Sequence, residues 1–251
     1  MSSHPLVIAL EEAVQQARVM DAPLRDRLQL VADRVRSLSD LFADAVERMI
    51  SRQQEGGAGS SAPAPGDLMP SFLLPDDQGV LVSLEGLLRQ GPVVISFNRG
   101  HWCPYCRLNA MALSQIDAAV RAEGATLVAI TPERRKFTQA MKSDSDATFP
   151  ILSDMDNGYA LSLNLAIWVG SEMEQLIDGA GWKVPHYQGN SGWMLPIPAT
   201  FVIASNGVIT ARYLDPDYRM RMEIDDLILA VRSIPANPIP ANRGRAIGSA
   251  A

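Results

Sequence analysis

Apolar residues recur at three- and four-residue steps through the first fifty positions. Leu6, Leu10, Ala13, Val14 and Ala17 form one stripe; Leu24, Leu28, Val31, Val35, Leu38, Leu41, Phe42, Ala45 and Met49 form a second. That period predicts two amphipathic helices, with Arg27, Asp33, Arg34 and Glu47 mostly off the stripe. Pro23 suits the first turn of the second helix, with Asp21 ahead of it as a cap. Residues 1–53 thus read as a helical hairpin. Short isolated helices are marginal in water, so the hairpin needs a partner surface, either the main domain or a second subunit.

The pattern then changes. Gln54 to Pro65 reads QEGGAGSSAPAP, small and without an apolar period, which predicts a flexible linker and a domain boundary. Beyond it, Val93–Phe97 and Ala125–Ile130 are β-branched runs that predict buried strands. Leu108–Ala122 has helical spacing and stops at Gly124, and a further helix is expected from Thr131-Pro132 through Met141. Phe201–Ala204 and Val208–Tyr213 flank Ser205-Asn206-Gly207, which predicts a hairpin, and Ile224–Ile234 closes the domain as a helix. Alternating strands and helices followed by a hairpin predict an α/β sandwich with a mixed sheet over residues 66–234. The tail, 235–251, carries three prolines and many small residues and is expected to be poorly ordered.

Composition narrows the function. The chain has 251 residues, 47% hydrophobic and 20% charged, as ordinary globular proteins do. A net charge of −6 argues against a fold-wide basic surface for nucleic acid. No apolar run is long enough to span a bilayer, and Met1–Leu10 lacks a basic n-region, so neither a membrane partner nor a secretory signal is expected. Cytoplasmic location is the resulting expectation.

The two cysteines, Cys103 and Cys106, sit as Cys-Pro-Tyr-Cys between the predicted strand ending at Phe97 and a helix. This places both thiols at a helix N-terminus, where unpaired backbone N–H groups and the helix dipole stabilise a thiolate. Pro104 fits the first helical turn. A two-residue gap lets the sulfurs close a small disulfide ring, so the pair can cycle between dithiol and disulfide. Arg99, His101 and Arg107 add positive charge nearby. Half a zinc site is the first competing reading, but only His4, His101 and His186 and no second cysteine pair are available to complete it. Two buried structural cysteines are the second.

Several segments resemble the peroxiredoxins of the alkyl hydroperoxide reductase and thiol-specific antioxidant superfamily. Gly66–Leu74 (GDLMPSFLL) is similar to their opening segment, and Gln78–Leu84 (QGVLVSL) to the turn before the first core strand. Phe97–Cys106 (FNRGHWCPYC) resembles the CxxC-bearing branch, as do Leu195–Ile203 (LPIPATFVI) and Asp215-Pro216-Asp217-Tyr218 with Arg221. The resemblance runs from about Gly66 to Ile234 and implies a thioredoxin-like fold. It also implies a cis-proline facing the thiols, for which Pro198 is the candidate and Pro196 the fallback. Peroxiredoxins proper carry a proline and a threonine where Arg99 and Cys103 stand, and the peroxidatic cysteine where Cys106 stands. The thioredoxin pattern instead makes Cys103 the exposed nucleophile and Cys106 the resolving thiol. Cys103 is preferred here, as the thiol nearer solvent.

The expected function is therefore a peroxiredoxin-like thiol peroxidase acting on hydrogen peroxide or organic hydroperoxides. Cys103 and Cys106 do the chemistry, with Arg99, His101, Trp102 and Pro198 in support. Arg99 is the local guanidinium for the leaving oxygen; Arg134, Arg135, Arg219 and Arg221 are remote ones. Trp102 is expected to shield the site, and Trp168, Trp182 and Trp193 to wall a pocket or fill the core. Thioredoxin or glutathione/glutaredoxin would be the reductant, no metal or cofactor is needed, and the apolar arm suggests a homodimer. The alternatives are a thioredoxin-type oxidoreductase acting on disulfides, and a non-catalytic redox-sensing or scaffold module.

Overall fold

The structure is a computed structural model and describes residues 4–235. Three helices come first: α1 (Pro5–Arg18), α2 (Leu24–Leu38) and α3 (Asp40–Glu55). The predicted hairpin is thus a three-helix arm. The second stripe is broken at Ser39, whose backbone is extended (φ −157°, ψ 96°) and whose hydroxyl accepts from the Phe42 N–H at 3.1 Å. A serine able to cap competes with helix continuation although the apolar period runs on past it.

The main domain follows as β1 (Leu73–Pro75), β2 (Leu81–Ser83), α4 (Leu84–Leu88), β3 (Val93–Phe97), α5 (Pro104–Ala122), β4 (Thr126–Thr131), α6 (Arg135–Asp144) and β5 (Ile151–Ser153). After a 3₁₀ turn come α7 (Gly158–Ser162), β6 (Ala166–Trp168), α8 (Ser171–Ala180), α9 (Val184–Gln188), β7 (Met194–Pro196), β8 (Ala199–Ile203), β9 (Ile209–Leu214) and α10 (Ile224–Arg232). The central sheet has the order β5-β4-β3-β8-β9, with β3, β4 and β5 parallel and β8 and β9 antiparallel to their neighbours. Both faces are covered. Val93, Ile95 and Phe97 point into a core with Phe72, Tyr159 and Phe201, whereas Val94 points toward α5 and the arm. A strand buried on both faces needs an unbroken β-branched run, which Val93–Ile95 supplies.

The arm is not a separate body. Leu10, Val31, Val35, Phe42, Val46 and Met49 share one core with α5 and α8 residues. Most of the apolar stripe that suggested a second subunit is therefore covered by the chain's own domain, while Leu38 and Leu41 stay exposed. The Gly/Ser/Ala/Pro segment expected as a flexible linker is a run of turns held on β9. Arg212 donates to the Ala62 and Pro63 carbonyls at 2.8 and 3.0 Å, and Gly59 (φ +77°) lies so close that a Cβ there would stand 2.6 Å from Leu214. The expected tail lies, beyond Pro235, outside the described residues.

Candidate active site

Because β3 and β4 are parallel and adjacent, their C-terminal ends open on the same side of the sheet, where sites of α/β folds form. The chain leaves β3 through Asn98, whose N–H donates to the Ile130 carbonyl at 2.9 Å, and turns through Gly100 into α5. Gly100 has φ +138°, and a Cβ there would stand 2.5 Å from the Glu133 carboxyl carbon. Both the backbone angle and the close approach require glycine. Cys103 is the N-cap of α5 and Pro104 its first residue, so Cys106 sits in the first turn.

Both sulfurs are enclosed: Cys103 is 1% exposed and Cys106 0%. The expectation of a solvent-exposed Cys103 is corrected here, because α1, α2, α3 and α8 roof the turn with Leu10, Val35, Phe42 and Ile177, and Trp182 after α8 adds to the roof. The environments of the two thiols differ. The Cys106 sulfur accepts from the Arg99 backbone N–H at 3.2 Å and from Arg221 Nη2 at 3.4 Å. Burial opposes its ionisation, but the S–H of Cys103, the guanidinium charges of Arg221 and Arg99 and the Arg99 N–H outweigh it and hold Cys106 below the ordinary thiol value. Burial, the hydrogen bond given to Cys106 and the charge on Cys106 all push Cys103 up. The pair is polarised toward a Cys106 thiolate solvated by a Cys103 thiol.

Arg99 is buried, with its guanidinium 3.9 Å above the Tyr218 ring and 5.0 Å from the Trp102 ring. Arg221 was placed among the remote arginines by sequence reasoning. The loop after β9 brings it to Cys106 and fixes it there by donation to the Met220 carbonyl at 2.7 Å and to that of Tyr218. Trp102 is buried against Trp182, ring centres 6.5 Å apart. Trp193 is buried too, whereas Trp168 is 58% exposed.

Among the expected supporting residues, His101 faces away from the sulfurs and Pro198 lacks the expected cis bond, although its neighbour Ala199 pairs with Phe97 at the site's end of the sheet. The His101 backbone N–H is caught by Glu133 at 2.7 Å, which turns the imidazole outward to Asp144 at 2.7 Å, away from the sulfurs. Pro198 is buried just before β8, but no cis peptide bond occurs among the described residues. The chain passes from β7 through Ile197 and Pro198 into β8, with the Ile197 N–H bonded to the Leu165 carbonyl at 2.7 Å. Arg219 pairs with Asp217 and Glu47, and Arg134 with the His186 backbone; neither reaches the thiols.

Glu133 went unnoticed in the sequence, although a carboxyl at the C-terminal end of a parallel strand was a signal. One oxygen accepts from His101; the other is buried with no hydrogen-bond partner among the described residues. Burial raises its pKa to about 8, helped by the charge on Cys106 and opposed by the His101 and Trp102 N–H groups. In the unfolded chain the carboxyl loses its proton near 4.5, but in the fold it keeps it to about 8. The native state thus holds the extra proton in that window, and stability falls as pH rises through it, then levels off. Glu133→Gln removes this titration, so the wild type should lose several kcal/mol relative to the variant across the window. Chemical denaturation at a series of pH values checks this; parallel stability curves would refute it.

The AhpC/TSA family sequence model matches residues 65–212, which includes both cysteines and all of the central sheet except the last two residues of β9. No curated protein sequence matches the chain. Among solved structures, the chain is similar to the peroxidoxin BcpB of Mycobacterium tuberculosis, at 21% identity and a TM-score of 0.53 over 69% of this chain and 99% of that one. It is also similar to reduced Prx3 of Vibrio vulnificus in complex with hydrogen peroxide, at 15% identity and 0.54 over 67% and 99%. A yeast mitochondrial 1-Cys peroxiredoxin, described as resolved through glutathione/thioredoxin systems, aligns at 14% identity and 0.51 over 68% and 75%. These likenesses agree with the thioredoxin-like fold.

Proposed function

The chain belongs to the AhpC/TSA family and is a thiol peroxidase oxidoreductase; from that premise we propose that Cys106 is the attacking thiolate and Cys103 the resolving thiol. The observation that carries this assignment is the convergence of the Arg99 N–H and the Arg221 guanidinium on the Cys106 sulfur. In the proposed cycle the Cys106 thiolate attacks one oxygen of a peroxide. The O–O bond breaks, sulfur takes that oxygen as a sulfenic acid, and the other oxygen leaves with a proton from water as an alcohol or water. Arg221 and the Arg99 N–H, already aimed at the sulfur, face the charge that moves onto the leaving oxygen. The Cys103 sulfur then displaces hydroxide from the sulfenic sulfur, giving the disulfide and water. A dithiol of the thioredoxin type, or glutathione, returns both sulfurs to thiols by exchange.

This reverses the sequence-based preference for Cys103, which rested on its being nearer solvent. Enclosure removes that distinction, and electrostatics then decides between two buried sulfurs. Stopped-flow oxidation of the reduced protein by hydrogen peroxide tests the activity. The expected second-order rate exceeds that of a free thiol by about a hundredfold or more, the usual contribution of a preorganised charge-stabilising site. A rate equal to that of a free thiol, with ready reduction of a small disulfide, would replace this reading by thioredoxin-type exchange.

A further inference from the structure

With both sulfurs enclosed, any reagent that reaches them crosses the shell around them. Two clefts run beneath the arm, between α2, α3 and the loop after β9. One, of about 140 Å³, extends from Gln29 and Ala32 to Tyr105 and Tyr218. The other, of about 200 Å³, shares Gln29, Ala32, Glu47 and Arg219 with the first and ends on Arg221. The first also shares Val35, Tyr105 and Tyr218 with an apolar cavity of about 30 Å³ lined by Cys103 and Arg99. Their inner ends are therefore Cys103 itself and the two arginines whose N–H groups hold the Cys106 sulfur.

We propose that these clefts are the route of the oxidant, and that the arm makes them a size filter that admits hydrogen peroxide and holds back bulky hydroperoxides. The inner cavity, at about 30 Å³, holds a water-sized molecule and has several times less room than either cleft. Hydrogen peroxide is only slightly larger than water, whereas an aryl or long-chain hydroperoxide needs Val35 and Phe42 to move. Charge agrees with a small neutral visitor. At the rims Arg25, Arg36 and Arg219 stand among Asp33, Glu47 and Asp217, so cations and anions balance. The proposal extends the peroxidase reading to its substrate class. The route itself concerns access alone and is tested separately.

Gln29 is exposed and lines both clefts, and Ala32 lines both from the next turn of α2. Gln29→Trp and Ala32→Trp should therefore plug the route from outside the core, and circular dichroism and thermal melting confirm that each still folds. Two readouts follow: oxidation by hydrogen peroxide, and alkylation of the reduced dithiol by iodoacetamide, which needs access but no peroxidase chemistry. Both should slow by about tenfold, equivalent to some 1.4 kcal/mol of added barrier. In the wild type, cumene hydroperoxide should react about tenfold more slowly than hydrogen peroxide, and Val35→Ala should narrow that gap. Folded tryptophan variants that alkylate at the wild-type rate would overturn the route, and equal rates with the two peroxides would overturn the filter. Slowed alkylation in a protein that reacts with peroxide no faster than a free thiol would uphold the route and remove the peroxidase reading instead.

Discussion

Cys106→Ser should abolish rapid oxidation by peroxide, lowering the second-order rate by about a thousandfold or more, to that of an ordinary thiol or below. Cys103→Ser should leave the first oxidation within about tenfold of the wild type and stop the cycle at a sulfenic acid. The asymmetry comes from the surroundings of the two sulfurs. Cys106 receives the Arg99 N–H and Arg221, while Cys103 donates a hydrogen bond to Cys106 and has no such donors aimed at it among the described residues. A serine at position 103 still presents an O–H to the thiolate, so the attacking group keeps its hydrogen bond. A serine at position 106 removes the charge that the arginines hold. Stopped-flow kinetics with mass detection of a dimedone adduct reads both steps. Loss of oxidation in Cys103→Ser alone would return the attack to Cys103.

Much of this was legible in the residues, and the misses share one physical origin. Val93–Phe97, the Pro104 helix start and the Asn-Gly hairpin are set by local chemistry, so period and turn residues located them. The CxxC at a helix N-terminus was likewise local. What failed depended on neighbours distant in sequence. Cys103 looked exposed because nothing nearby showed that an arm far upstream in the chain would cover it. His101 looked like a thiol tuner, but Glu133 and Asp144 decide its direction. Gln54–Pro65 looked flexible by composition, yet small residues are also what close packing on β9 requires. Arg221 lies 115 positions from Cys106 and became a site residue only through the loop after β9.

That long-range contact gives the second large effect. Arg221→Met should lower the rate of oxidation by hydrogen peroxide by about a hundredfold to a thousandfold, the usual cost of removing one donor aimed at developing charge. Two consequences combine. Without the guanidinium, only the Cys103 S–H and the charge and N–H of Arg99 oppose burial at Cys106, so its pKa rises and less thiolate is present at neutral pH. The leaving oxygen also loses a positive partner. The sign separates these effects: the midpoint of the pH–rate profile should move to higher pH, and the rate should recover only in part on the alkaline plateau. Lysine should restore the charge but not the two backbone anchors, to Tyr218 and Met220, that hold the planar guanidinium in place. Arg221→Lys should therefore fall between methionine and the wild type. Thiolate ultraviolet absorbance followed against pH gives the Cys106 midpoint directly. A variant with reduced rate and an unmoved midpoint would mean that Arg221 serves the leaving oxygen alone. An unchanged rate and midpoint together would leave the Arg99 N–H and the Cys103 thiol as the groups that hold the Cys106 charge.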